Sequence, residues 1–183
     1  QRQGAPAIVN LCRQYGRKEV ADYWEQVITI NEYQEDRFVE QMLASMFNTV
    51  AGKRIVLLGF AFKADTGDTR ESPAIRVCRS LIEERASVVI TDPRALDNAR
   101  RDLADCVDRV TFEPDPYKAA EGAHALAVMT DWAEYKALDY QKIYESMSKP
   151  AFVFDGRNCL DHPKLFDMGF NVCPIGKKPL SHL

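Results

Sequence analysis

The chain predicts an α/β fold: a doubly wound, mainly parallel sheet of Rossmann-like type, preceded by a long α-helix. Three observations carry that expectation. From Gly52 onward, short apolar runs bounded by turn residues alternate with amphipathic stretches, the pattern of parallel strands joined by crossover helices. The runs are continuous rather than alternating, as strands buried on both faces require. Ahead of them, no Gly or Pro occurs between Arg17 and Ala51, and Val20, Tyr23, Val27, Ile30, Phe38, Met42, Met46 and Phe47 recur at helical spacing.

A helix of some thirty residues over that first block would be about 45 Å long at 1.5 Å per residue. This exceeds what a compact domain of this size needs for its own core, and such helices join domains or form subunit interfaces. Two shorter helices with a bend near Asn31 or Asn48 are the alternative. Residues 1–50 are therefore read as a central helical segment and 51–183 as the α/β domain. Arg54–Phe60 is the first strand, and Ala61–Arg70 a polar loop. Ser72-Pro73 supplies an N-cap and an N1 proline for a helix to about Arg85. Ser87–Thr91 is the second strand, closed by Asp92-Pro93. A helix near Leu96–Asp105, a short strand at Arg109–Phe112 and a helix from Pro116 to Glu121 follow. Ala123–Thr130 is again a strand, and Trp132–Met147 a helical stretch that breaks near Leu138-Asp139. The strand Ala151–Phe154 ends in Asp155-Gly156-Arg157, and the tail holds one more strand, Phe170–Cys173.

The sequence has 183 residues, 24 Lys+Arg against 27 Asp+Glu, a formal net charge of −3 and 46% apolar residues. That length fits one domain with an appendage, and the apolar share allows a buried core. A near-neutral balance gives no reason to expect nucleic acid as a partner. The longest apolar run, Ile55–Phe62, is eight residues. A spanning helix needs about twenty, so no membrane partner is expected. The opening shows no basic segment followed by an apolar one, as a secretory signal would. Cys12, Cys78, Cys106, Cys159 and Cys173 are scattered, odd in number and without a CxxC pair. They predict free thiols in a reducing, cytoplasmic setting rather than a disulfide framework or zinc site. His124, His162 and His182 form no metal motif, so no metal is expected. The chain starts at Gln1 rather than Met, and a fragment or expression product is expected.

In open parallel sheets, ligands bind beyond the carboxyl ends of the strands. That rule selects three segments: Phe62-Lys63 to Arg70 after the first strand, Asp92 after the second, and Asp155-Gly156-Arg157 after a late one. Lys63 and Arg157 would then project from neighbouring strand tips and clamp a diphosphate. Each would act as a charge-assisted donor worth about 1.5–3 kcal/mol when shielded from water. Ser72 opens a helix whose N–H groups also favour anions. The dinucleotide fingerprint GxGxxG is missing. Gly59 and Gly67 lie eight apart, too far for the pyrophosphate turn. A mononucleotide or nucleotide-sugar site is therefore favoured over a self-contained NAD site. Asp92-Pro93 reads as a turn and helix start ahead of a ribose ligand, and Asp65 and Asp68 as partners of their own loop backbone. Lys63 taken alone could also be a solvated charge. Cys12, Cys78 and Cys106 read as core residues, and Trp132 and Phe152 as packing residues. Cys159 is the one thiol near the ligand edge.

The stretch Gly59-Phe-Ala-Phe-Lys-Ala-Asp-Thr-Gly-Asp-Thr-Arg-Glu-Ser72 closely resembles the loop that begins the C-terminal domain of UDP-glucose 6-dehydrogenases, in the UDP-glucose/GDP-mannose dehydrogenase family. Val20–Val27 looks like their central helix. Asp115-Pro-Tyr, Glu121–Ala125, Leu138–Tyr140 and Lys149–Arg157 look like later segments, and the similarity runs from about Val9 to Lys178. It points to the glucose enzymes of eukaryotic type ahead of the GDP-mannose or UDP-N-acetylmannosamine relatives.

The resemblance implies a three-part enzyme: an N-terminal Rossmann domain for NAD, a central helix that forms the dimer, and a C-terminal UDP-sugar domain. Such enzymes oxidise UDP-glucose to UDP-glucuronate with two NAD+, through a cysteine thiohemiacetal and thioester. Carried over residue by residue, Phe62, Lys63 and Arg157 match substrate contacts, and Arg70 matches a residue that reaches NAD. The family's Gly-Phe-Gly-Gly-Ser-Cys segment, which holds the nucleophile, does not occur here. None of the five cysteines stands at the nucleophile position, so no catalytic residue is assigned and the chain alone is expected to be inactive. Gln1–Ala7 lacks the Lys and Asp that follow that cysteine. Ala64 replaces a common lysine, and Pro73 a common serine. An assembly module acting through the long helix is a competing reading. So is a related nucleotide-sugar dehydrogenase. A further oxidoreductase that holds NAD on this sheet is disfavoured by the missing fingerprint.

Overall fold

The computed structural model describes residues 4–183. Two helices, α1 (Ala5–Gln14) and α2 (Lys18–Ser45), lead into a six-stranded sheet. Its strands are β1 (Arg54–Leu58), β2 (Ser87–Thr91), β3 (Val110–Phe112), β4 (Ala125–Val128), β5 (Phe152–Asp155) and β6 (Asn171–Pro174). The connections carry α3 (Pro73–Glu83), α4 (Leu96–Asp102), α5 (Pro116–Ala120), α6 (Ala133–Lys136), α7 (Tyr140–Ser146) and α8 (His162–Met168).

The sheet order is β3-β2-β1-β4-β5-β6 and every pairing is parallel. β1, β2, β4, β5 and β6 are buried almost throughout, which explains their unbroken apolar runs. Thr111 of the edge strand β3 is exposed. The other edge is closed by a return of the chain, in which Val172 and Leu180 exchange backbone hydrogen bonds of 2.8 Å. Strand order reverses between β1 and β4, the switch point at which open α/β sheets bind ligands. The register aligns Leu58 with both Thr91 and Val128, and Val128 with Asp155. Four strands therefore end level beside that point.

Right-handed crossovers put α3 and α4 on one face and α5–α8 on the other. The first face of β4–β6 is left without a crossover helix, and the C-terminal half of α2 covers it. Phe38, Val39, Met42 and Met46 are buried in the common core. Phe38 packs edge-on against Phe154, with ring centroids 6.5 Å apart, and Ser45 meets Cys173 across 3.7 Å. An ion pair from Arg76 Nε to Asp36 at 2.8 Å ties α2 to α3. The N-terminal half of α2 extends beyond the sheet, where Val20, Tyr23, Ile30 and Tyr33 are exposed.

α2 is one helix of 28 residues, about 42 Å long, without a bend at Asn31. The apolar spacing continues to Phe47, but the helix stops at Ser45, because Phe47 and Asn48 take left-handed φ values of 63° and 60°. The helical stretch after β4 does break at Leu138-Asp139, where Asp139 caps α7 by accepting from Lys142 N–H. One helix escapes the pattern reading. α8 lies in what reads as an irregular tail, capped by Asp161 at its start and by Gly169 at φ 115° at its end.

Candidate functional site

β1 leaves the sheet through Gly59, whose φ of +93° and whose position against Thr130 admit no side chain: a Cβ would lie 2.4 Å from that of Thr130. The next residues are fastened from three sides. Asp92, buried after β2, accepts the Phe60 and Ala61 N–H groups on Oδ2 at 2.8 and 3.1 Å. The same oxygen accepts Trp132 Nε1–H at 3.1 Å, while Oδ1 accepts the Arg94 and Ala95 N–H groups at 2.8 Å each. Thr130 Oγ1 donates to the Ala61 carbonyl at 2.7 Å, and Ser72 Oγ to that of Phe60 at 2.8 Å.

Loop 61–70 then closes on itself and on α4. Phe62 N–H donates to the Asp68 carbonyl at 2.8 Å. Asn98 donates to the Gly67 carbonyl at 2.6 Å, and Thr69 hydrogen-bonds Asp102. A Cβ on Gly67 would lie 2.8 Å from the Arg94 carbonyl oxygen. On this fixed loop Phe62 is half-buried and Lys63 is exposed. Arg70 is exposed but engaged, its Nε and Nη2 reaching the two Asp68 oxygens at 3.0 and 2.8 Å.

Across the switch point, Asp155 ends β5 fully buried. Its carboxylate accepts the N–H groups of Arg157, Cys159 and Leu160 at 3.0–3.1 Å and meets His162 Nε2 at 2.8 Å. These bonds shape the turn that presents Arg157. Gly156 has no room for a side chain, since its Cβ would approach the Val128 oxygen to 2.8 Å and the Phe38 ring to 3.4 Å. Arg157 Nη2 lies 3.4 Å from Asp131 Oδ1, just past β4. A cavity of about 150 Å³ opens beneath it, lined by Phe38, Pro73, Val77, Met129, Arg157 and Ile175 among others. The larger cleft between α2 and α3, about 670 Å³, presents Glu32, Glu35, Asp36, Glu71 and Glu83. Its electrostatics oppose a diphosphate, because Arg76 and Arg79 there already pair with Asp36 and Asp105.

All three segments picked out by the strand-end rule lie at the carboxyl edge, but their parts differ. Asp92 is a structural anchor whose two oxygens are both occupied by protein donors. Asp68 holds its own loop and Arg70. Lys63 and Arg157 do not rise from neighbouring strands: β4 stands between β1 and β5, so two strand spacings, about 10 Å, separate the tips. Ser72 is no open anion site either. Its own Oγ and carbonyl take the Ala74 and Ile75 N–H groups, and Pro73 has none to offer. Cys78 and Cys106 are buried as expected, whereas Cys12 is only half-buried on α1, whose Leu11 and Tyr15 face solvent. Trp132 and Phe152 are buried. Burial first, and the Asp155 charge second, push the Cys159 thiol up to about 11, so it is no nucleophile at neutral pH. Nothing in the sequence pattern marks Asp131, Thr130 or Phe38 as a site residue. Only their placement after β4, or on the covering face of α2, makes them part of this edge.

A profile of the UDP-glucose/GDP-mannose dehydrogenase family, UDP binding domain, matches residues 56–162, which span both strand tips. The chain belongs to that family. It is 49% identical over 193 aligned residues to UDP-glucose 6-dehydrogenase 2 of Oryza sativa subsp. japonica, covering 96% of this chain and 40% of that protein. To UDP-glucose 6-dehydrogenase 1 of Glycine max it is 49% identical over 188 residues, covering 93% and 39%. Among solved structures it resembles a UDP-glucose dehydrogenase from the archaeon Pyrobaculum islandicum, at a TM-score of 0.68 and 27% identity, over 91% of this chain and 36% of that one. A UDP-D-ManNAc dehydrogenase from Pyrococcus horikoshii shares the fold at a TM-score of 0.61 and 24% identity, over 87% and 32%. The chain thus spans about 40% of the length of these curated dehydrogenases.

Relatives of this kind raise the question of a nicotinamide cofactor. Among the described residues, the β1–α3 connection does not fit a dinucleotide. It runs from Gly59 to Ser72 instead of turning tightly, and the first N–H groups of α3 are already capped. Within that connection Arg70 offers an exposed guanidinium, half of an ion pair with Asp68. Among the described residues, no helix is long and apolar enough to cross a membrane, and no group of three His, Cys, Asp or Glu could hold a metal ion.

Proposed function

We propose that this chain is the UDP-binding C-terminal part of an NAD-dependent UDP-glucose 6-dehydrogenase, which converts UDP-glucose and two NAD+ to UDP-glucuronate in the cytoplasm. Within it, residues 1–50 serve as the helical dimerisation and linker segment and 51–183 as the UDP-sugar domain. The observation that carries this reading is the pair of cations flanking β4 at the switch point, inside the segment matched to the UDP-binding domain. Lys63 makes no hydrogen bond or ion pair with another described residue, and Arg157 is held in place by the Asp155 turn. Both donate to the diphosphate, and Phe62 lies beside Lys63 as an apolar contact to the substrate. NAD+ supplies hydride acceptance in the whole enzyme and is held mainly outside this chain, with Arg70 as its one outlying contact here. The chain by itself is inactive, because none of its cysteines takes the nucleophile's place.

Each cation–phosphate contact contributes about 1.5–3 kcal/mol, so the pair supplies roughly half of the about 8 kcal/mol that micromolar affinity represents. Calorimetric titration with UDP tests this. Lys63→Ala and Arg157→Ala are each expected to weaken binding about tenfold to a hundredfold. Affinity unchanged in the double variant overturns the assignment. Tight NAD binding without UDP binding would favour a different oxidoreductase.

A second reading rests on a separate observation. Val20, Tyr23, Ile30 and Tyr33 expose 42%, 65%, 57% and 60% of their surface at spacings that place them along the projecting half of α2. That stripe is the face of a homo-oligomer formed through the helix. Sedimentation velocity over a concentration series is expected to show self-association, and a concentration-independent monomer would refute it.

A further inference from the structure

Arg157 can act on a ligand only if the turn that carries it is held, and one side of that hold comes from outside the sheet. The space beside Gly156 that a side chain would take is filled by two groups, the Val128 carbonyl of β4 and the ring of Phe38 on α2. The Gly156 N–H donates to that same carbonyl at 3.1 Å, so the backbone is gripped on the sheet side. Phe38 fills the space next to that carbonyl. It is 6% exposed, packs edge-on against Phe154 immediately before the turn, and lines the small cavity together with Arg157. Two residues earlier, Asp36 pairs with Arg76 of α3. The N-cap Ser72 of α3 in turn holds the Phe60 carbonyl at the root of the Lys63 loop. One turn of α2 therefore supports both strand-tip segments, and the same helix runs on into the exposed apolar stripe.

We infer that Phe38 is a positioning residue for Arg157: by pressing on Gly156 it fixes the turn that aims the guanidinium at the diphosphate, and so links the seating of α2 to nucleotide affinity. Its effect passes through Gly156 and reaches the ligand only by way of Arg157. This rests on the diphosphate reading of Arg157, and the experiment separates the two.

UDP is titrated calorimetrically into the 183-residue chain as wild type, Phe38→Leu, Arg157→Ala and the double variant. Phe38→Leu keeps an apolar side chain of similar reach but loses the flat ring edge, so the fold is preserved. Thermal unfolding of each variant reports whether it is folded. Phe38→Leu is expected to weaken UDP binding about three- to tenfold, a coupling of the size seen between residues in contact. In the Arg157→Ala background, the same change is expected to shift affinity by less than about twofold, because contacts that act through one group are not additive. Phe38→Tyr, which restores the ring, is expected to return affinity to within about twofold of wild type. If Phe38→Leu weakens UDP equally with and without Arg157, Phe38 acts through general stability and the inference fails while the diphosphate reading stands. If Phe38→Leu leaves affinity unchanged while Arg157→Ala lowers it, the inference fails in the same way. If Arg157→Ala itself has no effect, the diphosphate reading falls and the inference with it. Should Phe38→Leu fail to fold, Phe38→Met replaces it as a second apolar side chain without the ring, and the same non-additivity with Arg157→Ala is required.

Discussion

Asp92 offers the sharpest test of how the site edge is built. Its two oxygens receive five donors: Phe60 N–H, Ala61 N–H and Trp132 Nε1–H on Oδ2, and Arg94 N–H and Ala95 N–H on Oδ1. Asp92→Asn keeps the shape and replaces one acceptor by an NH2 group. Whichever way the amide turns, two or three N–H groups meet a donor instead of an acceptor, and at least one of them is buried. An unsatisfied buried donor costs about 1–3 kcal/mol, so the expected loss is at least roughly 1–3 kcal/mol. Even the low end lowers the Tm by about 2 °C for a chain of this size. Urea denaturation followed by circular dichroism measures the change, and hydrogen exchange localises it to the Phe60 and Ala61 amides. A loss below about 1 kcal/mol would refute the anchoring argument. Weaker UDP binding at unchanged stability would instead make Asp92 a ligand contact, the role the sequence reading placed second.

Gly59→Ala is expected to cost more than about 3 kcal/mol, since it combines a positive φ with backbone and side-chain overlap at Thr130; denaturation midpoints within error of wild type would contradict this. His124 Nδ1 accepts the Arg54 N–H at 3.0 Å, and burial followed by the Lys53 charge holds its pKa below the ordinary 6.5. Protonation is thus easier in the unfolded chain, so the stabilisation is complete above that ordinary value and is lost as pH falls through the folded one. A proton NMR titration of His124 with a midpoint at or above 6.5 would refute it.

The fold was legible because parallel strands buried on both faces need no alternation, and their apolar runs stand out against polar turns. Ser72-Pro73 and Leu138-Asp139 were readable for a local reason: caps and breaks are written in the few residues that make them. α8 escapes the pattern although its signals are equally local, with Asp161 as cap, Pro163 in the first turn and Gly169 as stop. Seven residues offer too few turns for periodicity to register. Strand order was not legible, since it depends on which runs pair. From sequence alone Lys63 and Arg157 fall on adjacent tips, where β4 in fact intervenes. Cys12 failed in a related way: periodicity shows that a helix has an apolar face, not whether this chain covers it. Asp155 was noticed for its neighbour Arg157, while its own part, shaping the turn through three N–H groups and His162, exists only once α8 is in place.

The insertion of β4 between the two cations has a further consequence at Asp131. This carboxylate follows β4 and lies 3.4 Å from Arg157 Nη2, with the two side chains 44% and 35% exposed. Lys63 makes no such contact with another described residue. A diphosphate approaching the edge therefore meets one cation unpaired among the described residues and one that is already shared, and must compete with Asp131 for it. An exposed pair of this kind is worth about 0.2–1 kcal/mol. Asp131→Asn removes the competing charge and should tighten UDP binding by about 1.4- to 5-fold at moderate salt. The gain should vanish in an Arg157→Ala background and shrink as salt screens the pair. Weaker binding in Asp131→Asn would reverse the sign of the argument. Asp131 would then act by holding Arg157 in its productive direction, and the 3.4 Å contact would belong to the site's support rather than to its resting state.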